Sequence, residues 1–201
     1  MFATSFLIHI VSIVWATSYL DVKQELEYSA LARIQRLSSS KEAIDLVEDF
    51  EQAVFPSATL YYEVGLSMNQ SGDLERAILC YQKSLEIDSE HIGALYDLAE
   101  IYLLKREFSL SKQYLLRLTE LSTVHWVVHY RLAQIAAHSK SVSTLEHHLS
   151  QAIHYGMPTQ IFRDDVMQWR PFLEDSLVAL SLEMFFQAQG QTDVWIFWTT
   201  P

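Results

Sequence analysis

The sequence predicts an all-α protein, an α-solenoid of stacked antiparallel helix pairs closed by helical caps at both ends, and three observations carry that prediction. Glycine and proline number only 5 and 4 in 201 residues, too few for the many turns of a sandwich or barrel. Leu, Ala, Glu, Gln and Lys recur in windows of helical period, which is the pattern of helices with one buried face. The third observation is a fixed spacing: Gly65, Ala99 and Ala133 lie 34 residues apart, and so do Tyr81, Leu115, Leu149 and Ser84, Leu118, Ala152. Independent columns in phase at that period indicate a repeated supersecondary unit rather than one irregular domain.

The unit is a helix pair with no core of its own. Small residues at 65, 99 and 133 let two helices approach, and large residues fill the space to the next pair. In the first unit, 57–91, the turn is Ser71-Gly72-Asp73, with Ala77, Tyr81 and Ile87 continuing an apolar stripe beyond it. The second, 92–125, keeps Leu98, Ala99, Tyr102 and Phe108, with Ser111 inside the second helix. The third, 126–158, keeps Leu132, Ala133, Leu149 and Ala152 and replaces the glycine turn by His138 to Ser143. Helix-to-helix turns are therefore expected near Gly72, Arg106 and Lys140. On these residues the chain resembles the tetratricopeptide-repeat (TPR) family over 57–158, with Ser89 where the family has a helix-ending proline and Ser111 where it usually has alanine.

The flanks read as follows. Residues 1–18 carry no Asp, Glu, Lys or Arg, and Phe6 to Trp15 is apolar apart from His9 and Ser12, the pattern of a signal-peptide core. Cleavage after Ser18 is expected, which places the mature domain in the periplasm or outside the cell; the alternative is an uncleaved anchor of about 19 apolar residues, near the lower limit for crossing a bilayer. Residues 19–56 read as a degenerate helical hairpin broken at Ser38-Ser39-Ser40, with Ala43, Val47 and Phe50 on its second helix. Residues 159–190 resemble the helical segment that closes some bacterial TPR arrays. In 191–201 the aromatic run Val194 to Trp198 is expected to dock on something, because an exposed uncharged apolar segment invites aggregation.

Charge and motif content exclude several functions. The formal charge is −11 with no basic block, which repels nucleic acid and anionic membrane surfaces. No phosphate-binding loop, dinucleotide fingerprint, zinc-protease motif or nucleophile elbow is present, so no catalytic residue and no cofactor is expected. The single cysteine, Cys80, sits in an apolar helical stretch and reads as a core residue. Histidines 125, 129, 147, 148 and 154 crowd the third repeat with Glu146 nearby, yet nothing in the sequence makes them converge on a metal.

The positive expectation is protein binding. Tyr62, Tyr96 and Tyr130 are 34 residues apart, each three before the small residue of its repeat. The resemblance implies that this place faces the groove of the array, with Leu66, Glu100 and Gln134 beside it and Asn69, Leu103 and His138 further along. Partly exposed tyrosines offer large apolar area and one hydroxyl. The competing reading makes the same rings packing elements between neighbouring first helices. Where the family's carboxylate-clamp members hold acidic peptide ends with cations, tyrosines stand here, so a polypeptide with apolar anchors and little negative charge is expected. Homo-oligomerisation is the alternative use of the repeats and the aromatic tail.

Overall fold

The computed structural model describes residues 19–34, 36–37, 40–53, 56–121, 125–158, 161 and 165–190; residues 1–18, expected to be an export signal, and the aromatic tail 191–201 lie outside the described residues. Every described element is helical: α1 over 19–34, α2 Ser40–Ala53, α3 Ala58–Gln70, α4 Leu74–Ile87, α5 Ile92–Leu104, α6 Phe108–Thr119, α7 Trp126–His138, α8 Val142–His154, α9 Val166–Trp169, a 3-10 turn Arg170–Glu174 and α10 Ser176–Ala188. Among the described residues there is no strand. The fold class is the all-α solenoid type read from the 34-residue period. The chain divides into two compact units, 1–94 and 95–201.

In the first unit α3 and α4 form an antiparallel pair, with α2 packed on α3. Ser57 starts α3: its Oγ accepts from the Leu60 amide at 3.2 Å and donates to the Glu27 carboxylate of α1, so one hydroxyl caps a helix and ties down its neighbour. Asp73 caps α4 by accepting from the Arg76 amide at 3.3 Å. Between the helices Gly65 lies under the fully buried ring of Tyr81; a methyl group there would sit 2.6 Å from Tyr81 Cε1. The small residue in the period is therefore small because a large one occupies the facing position. Ala43, Val47 and Phe50 of α2 are buried, as are Ala30 and Ile34 of α1. Cys80 is buried against Met68, Sγ to Sδ 3.8 Å, and burial pushes its thiol up to about 11, leaving a core residue with little thiolate at neutral pH.

In the second unit the same columns are filled. Ala99, Leu115, Ala133, Leu145, Leu149 and Ala152 are fully buried. Ser111, a departure from the resembled pattern, is fully buried with its hydroxyl donating to the Ala99 carbonyl at 2.8 Å; this links α6 to α5 at their closest approach and satisfies a polar group that burial would otherwise penalise. The last helices close the stack. Trp169 and Phe172 enter a core with Val178, Leu182, Phe185 and Phe186 of α10 and with Leu145, Leu149 and Ala152 of α8. Asp175 caps α10 by accepting from the Leu177 and Val178 amides at 3.1 and 3.3 Å and also pairs with Lys140; the Lys140 bond and the two amides hold its carboxyl below the usual range.

The three helix-to-helix turns share one geometry. Gly72, Arg106 and Lys140 have φ of 83, 60 and 54°. Behind each, a 6→1 backbone bond closes the helix end, from Asp73 N to Met68 O, Glu107 N to Tyr102 O and Ser141 N to Ala136 O, at 2.9, 2.8 and 2.9 Å. These are Schellman ends, which require a left-handed residue just past the helix. Only the first repeat places glycine there; the other two hold a side chain in a conformation costing about 1–2 kcal/mol. Arg106→Gly is therefore expected to raise stability by about 0.5–1 kcal/mol after the entropy cost of glycine. Gly72→Ala, which has open space around the added carbon, lowers it by a similar amount through φ alone. Urea melts of the two variants check both signs.

Candidate functional site

The face that the first helices present in the second unit is held by a chain of hydrogen bonds. Arg131 of α7 donates to both carboxylate oxygens of Glu100 on α5, from Nε at 2.8 Å and from Nη2 at 2.9 Å. Its Nη1 donates to Gln134 Oε1 at 3.0 Å, and Gln134 Nε2 donates to Gln168 Oε1 on α9 at 2.8 Å. Beside this run the Tyr130 hydroxyl donates to Asp165 Oδ2 at 2.8 Å while accepting from Trp169 Nε1 at 2.6 Å. Burial lowers the Arg131 guanidinium, but the Glu100 charge and its hydrogen bonds outweigh that and leave it raised. Burial and Glu100 raise the half-buried Tyr96 phenol, with Arg131, its hydrogen-bond partner, opposing them. A bidentate Arg–carboxylate pair one-fifth to one-quarter exposed is the strong form of such a contact.

Next to this network a cavity of about 240 Å³ opens, lined by Leu103, Leu104, Arg106, Phe108, Gln134, His138, Gln168 and Phe172. His138 is wedged between two rings, 4.1 Å from Phe108 and 4.7 Å from Phe172, centroid to centroid. Burial and the Arg106 charge both lower its imidazole, so it is neutral at pH 7 and acts as an aromatic wall. Apolar walls with the exposed Gln168 amide at one end suit an apolar side-chain anchor whose flanking backbone hydrogen-bonds to that glutamine.

The structure sorts the residues expected in the groove. Leu103, Gln134 and His138 share this cavity, and Glu100 joins Gln134 through Arg131. Tyr130 departs from the expectation of a partly exposed ring: it is 2% exposed, with both lone pair and proton engaged. Its ring is a packing element because the closing segment, with Trp169 and Asp165, covers it where a further repeat would stand. Gln134 is buried too, so its amide braces the wall. In the first unit Tyr62 is half-buried and packs against the start of α5, where a methyl on Gly93 would meet its ring at 2.7 Å and His91 lies 4.8 Å away. Leu66 lines a different hollow of about 320 Å³ with Ile34, Leu37, Glu63, Ser67 and Gln70, and Asn69 is half-buried on the same helix.

Sequence reasoning missed Arg131, Asp165 and Gln168. Arg131 follows Tyr96, and Asp165 follows Tyr130, by 35 residues, so a search for polar partners one repeat further on would have found them.

The third-repeat histidines form a pair. His129 on α7 and His148 on α8 are buried, their Nδ1 atoms 3.2 Å apart, and Tyr155 stacks on His129 at 5.3 Å. Burial, then the neighbouring His129, His147 and Lys112, lowers His148 to about 4; burial and His147 lower His129. Among the described residues no group of three potential metal ligands converges.

With this geometry in place, similarity to known proteins can be stated. Residues 58–91 match the tetratricopeptide repeat family. A 73-residue stretch is 30% identical to the "Probable biofilm formation methyltransferase WspC" of Pseudomonas putida; it covers 36% of this chain, and the chain spans 17% of that protein. The fold is similar to solved TPR structures. The 41-end fragment of MamA from Desulfovibrio magneticus RS-1 superposes with TM-score 0.59 at 15% identity, covering 85% of this chain and 97% of that one. YrrB, described as a TPR protein with an unusual peptide-binding site, gives 0.53 at 13% over 80% and 90%. The pilF protein of Pseudomonas aeruginosa gives 0.56 at 11% over 90% and 90%.

Tyr130→Phe removes the group that joins Trp169 to Asp165 and strands a buried indole N–H, so a loss of about 1–3 kcal/mol is expected in urea melts. For the histidine pair the folded pKa values lie below the ordinary 6.5. The unfolded chain then binds more protons between about pH 6.5 and 4, so this contribution is complete above pH 6.5 and is lost as pH falls toward 4. Stability is expected to drop by about 1–3 kcal/mol between pH 7 and 5, and His148→Gln should flatten that slope by about half.

Proposed function

We propose that the chain is a non-catalytic scaffold that binds a polypeptide on the first-helix face of its second unit. The observation that carries this reading is the aromatic and aliphatic cavity at Leu103, Phe108, His138 and Phe172 with the Gln168 amide at its edge. An uncharged apolar anchor fits those walls. Such recognition uses a groove on a rigid helical frame, with the flanking backbone held by side-chain amides. The matched repeat at 58–91 and the peptide-binding description of YrrB support the assignment to polypeptide rather than to small substrates. Tyr96, half-buried beside Arg131 and Glu100, extends the contact surface. Export is part of the proposal and rests on the uncharged apolar segment 1–18; among the described residues no helix is long and apolar enough to cross a membrane.

The test is selection of peptides from a random display library against the full chain, followed by anisotropy titrations of the enriched sequences. Leu103→Glu, at a half-buried cavity wall, is expected to weaken them at least about tenfold, which is about 1.4 kcal/mol, with an unchanged thermal melt. Leu79→Glu, on the exposed face of α4, is expected to leave affinity as it was. Peptides insensitive to Leu103→Glu would remove this cavity as the binding site.

A further inference from the structure

A second cavity in the second unit, of about 390 Å³, shares Phe108 and His138 with the first and none of its other walls. Its floor is apolar: Leu132, Ile135 and Ala136 of α7 are buried there and Phe108 of α6 is half-buried. Lys112 of α6 brings an exposed ammonium to it, and no Asp or Glu lines it. In a chain with 25 acidic residues against 14 basic ones, a hollow with a cation and no carboxylate discriminates in favour of an anion.

The polar groups around the floor are donors. The Ser141 hydroxyl donates to Thr144 Oγ1 at 2.8 Å, which leaves the Thr144 proton to donate elsewhere. That bond also takes Ser141 away from the amide end of α8, which no side chain caps, so the positive end of a 13-residue helix stands beside the cavity at Ser141 and Thr144. A second, independent feature is His148, which lines the cavity and is only 8% exposed. Its Nδ1 is taken by His129 at 3.2 Å, and its Nε2 has no partner among the described residues. When His129 donates across that pair, His148 Nε2 carries the proton and offers it to the cavity. A buried donor without an acceptor is costly, and an acceptor brought by a ligand removes that cost.

Donors above an apolar floor call for a ligand with an apolar body and a head that only accepts. An ionised carboxylate is such a head. Because burial, ahead of the neighbouring charges, lowers His148 to about 4, Lys112 is the cavity's positive charge at neutral pH. It balances one negative charge, whereas a phosphate monoester carries nearly two. The volume is that of a small-molecule site. We propose that this cavity binds a small monocarboxylate, with its carboxylate at Lys112, Thr144 and His148 and an aliphatic or aromatic body against Leu132, Ile135 and Phe108. The site is separate from the peptide reading, since Leu103, Gln168 and Phe172 lie outside it.

The test is calorimetric titration of the full chain near neutral pH with hexanoate, octanoate and 4-phenylbutyrate. At least one of these acids is expected to bind with a Kd below about 1 mM. Its uncharged amide and the Lys112→Met variant are each expected to weaken binding at least about tenfold, through loss of the charged partner. Lys83→Met, which removes the same charge from the first unit, leaves affinity unchanged. In the unaltered chain the His148 imidazole nitrogen signals are expected to move on titration while those of the exposed His154 stay in place. Silence of all three acids, equal affinity of the amide, full affinity in Lys112→Met or a stationary His148 signal would each overturn the proposal. Binding lost in Leu103→Glu but kept in Lys112→Met would move the acid to the first cavity and overturn it as well.

Discussion

A pair of helices 12 to 14 residues long has two faces to bury and only one partner in the pair, so each pair depends on burial against the next. That constraint accounts for the recurring columns. Gly65 is small because Tyr81 lies over it, and Ala99 is small where Ser111 comes close enough to bond its carbonyl. In the second unit α7, α8 and the closing segment share one core, in which Tyr130, Ala133, Leu145 and Leu149 meet Trp169, Phe172 and α10. Alone, helices of this length are marginal in water. Their persistence is a property of the stack.

The same constraint shapes the candidate site. A repeat's first helix exposes polar positions toward its neighbour's, and these are joined by side chains that span one repeat: Glu100 to Arg131, Gln134 to Gln168, Tyr130 to Asp165. Such links set the spacing of the first helices and hold Phe108, His138 and Phe172 at ring-contact distance. A cavity between elements fixed in this way is preorganised, so a ligand that enters it loses little affinity to reordering the protein. Tyr130 and Gln134 are buried within this bracing, while Leu103, His138 and Gln168 line the cavity.

Electrostatics adds a second layer. The formal charge of the chain is −11, whereas the interior of the third repeat holds two histidines whose surroundings keep them neutral. Acid therefore acts on the middle of the second unit, at the contact between α7 and α8. The Asp175 cap responds at lower pH than an ordinary carboxylate, since its bonds to Lys140 and to the Val178 and Leu177 amides hold it below that range.

What the sequence determined by itself is the part of the structure that local chemistry controls. Period 34, helix-forming composition and the break at Gly72 imply paired helices, and the same spacing places turns at Arg106 and Lys140, where left-handed residues close the helix ends. The turns depend on residues within about one helical turn of each other and the period on like residues at a fixed interval, and a sequence displays both directly. Burial of Gly65, Ala99 and Ala133 follows from the same periodicity. Which way the tyrosines are used was decided by tertiary structure. Tyr62 against Gly93, Tyr96 beside Arg131 and Tyr130 between Asp165 and Trp169 are set by partners 31 to 39 residues away. Equal spacing guarantees an equal face, but exposure on that face depends on what the next element brings to it. For Tyr130 that element is the closing segment rather than another repeat, and its tryptophan and aspartate turn a ring that the period would leave at the surface into part of the core.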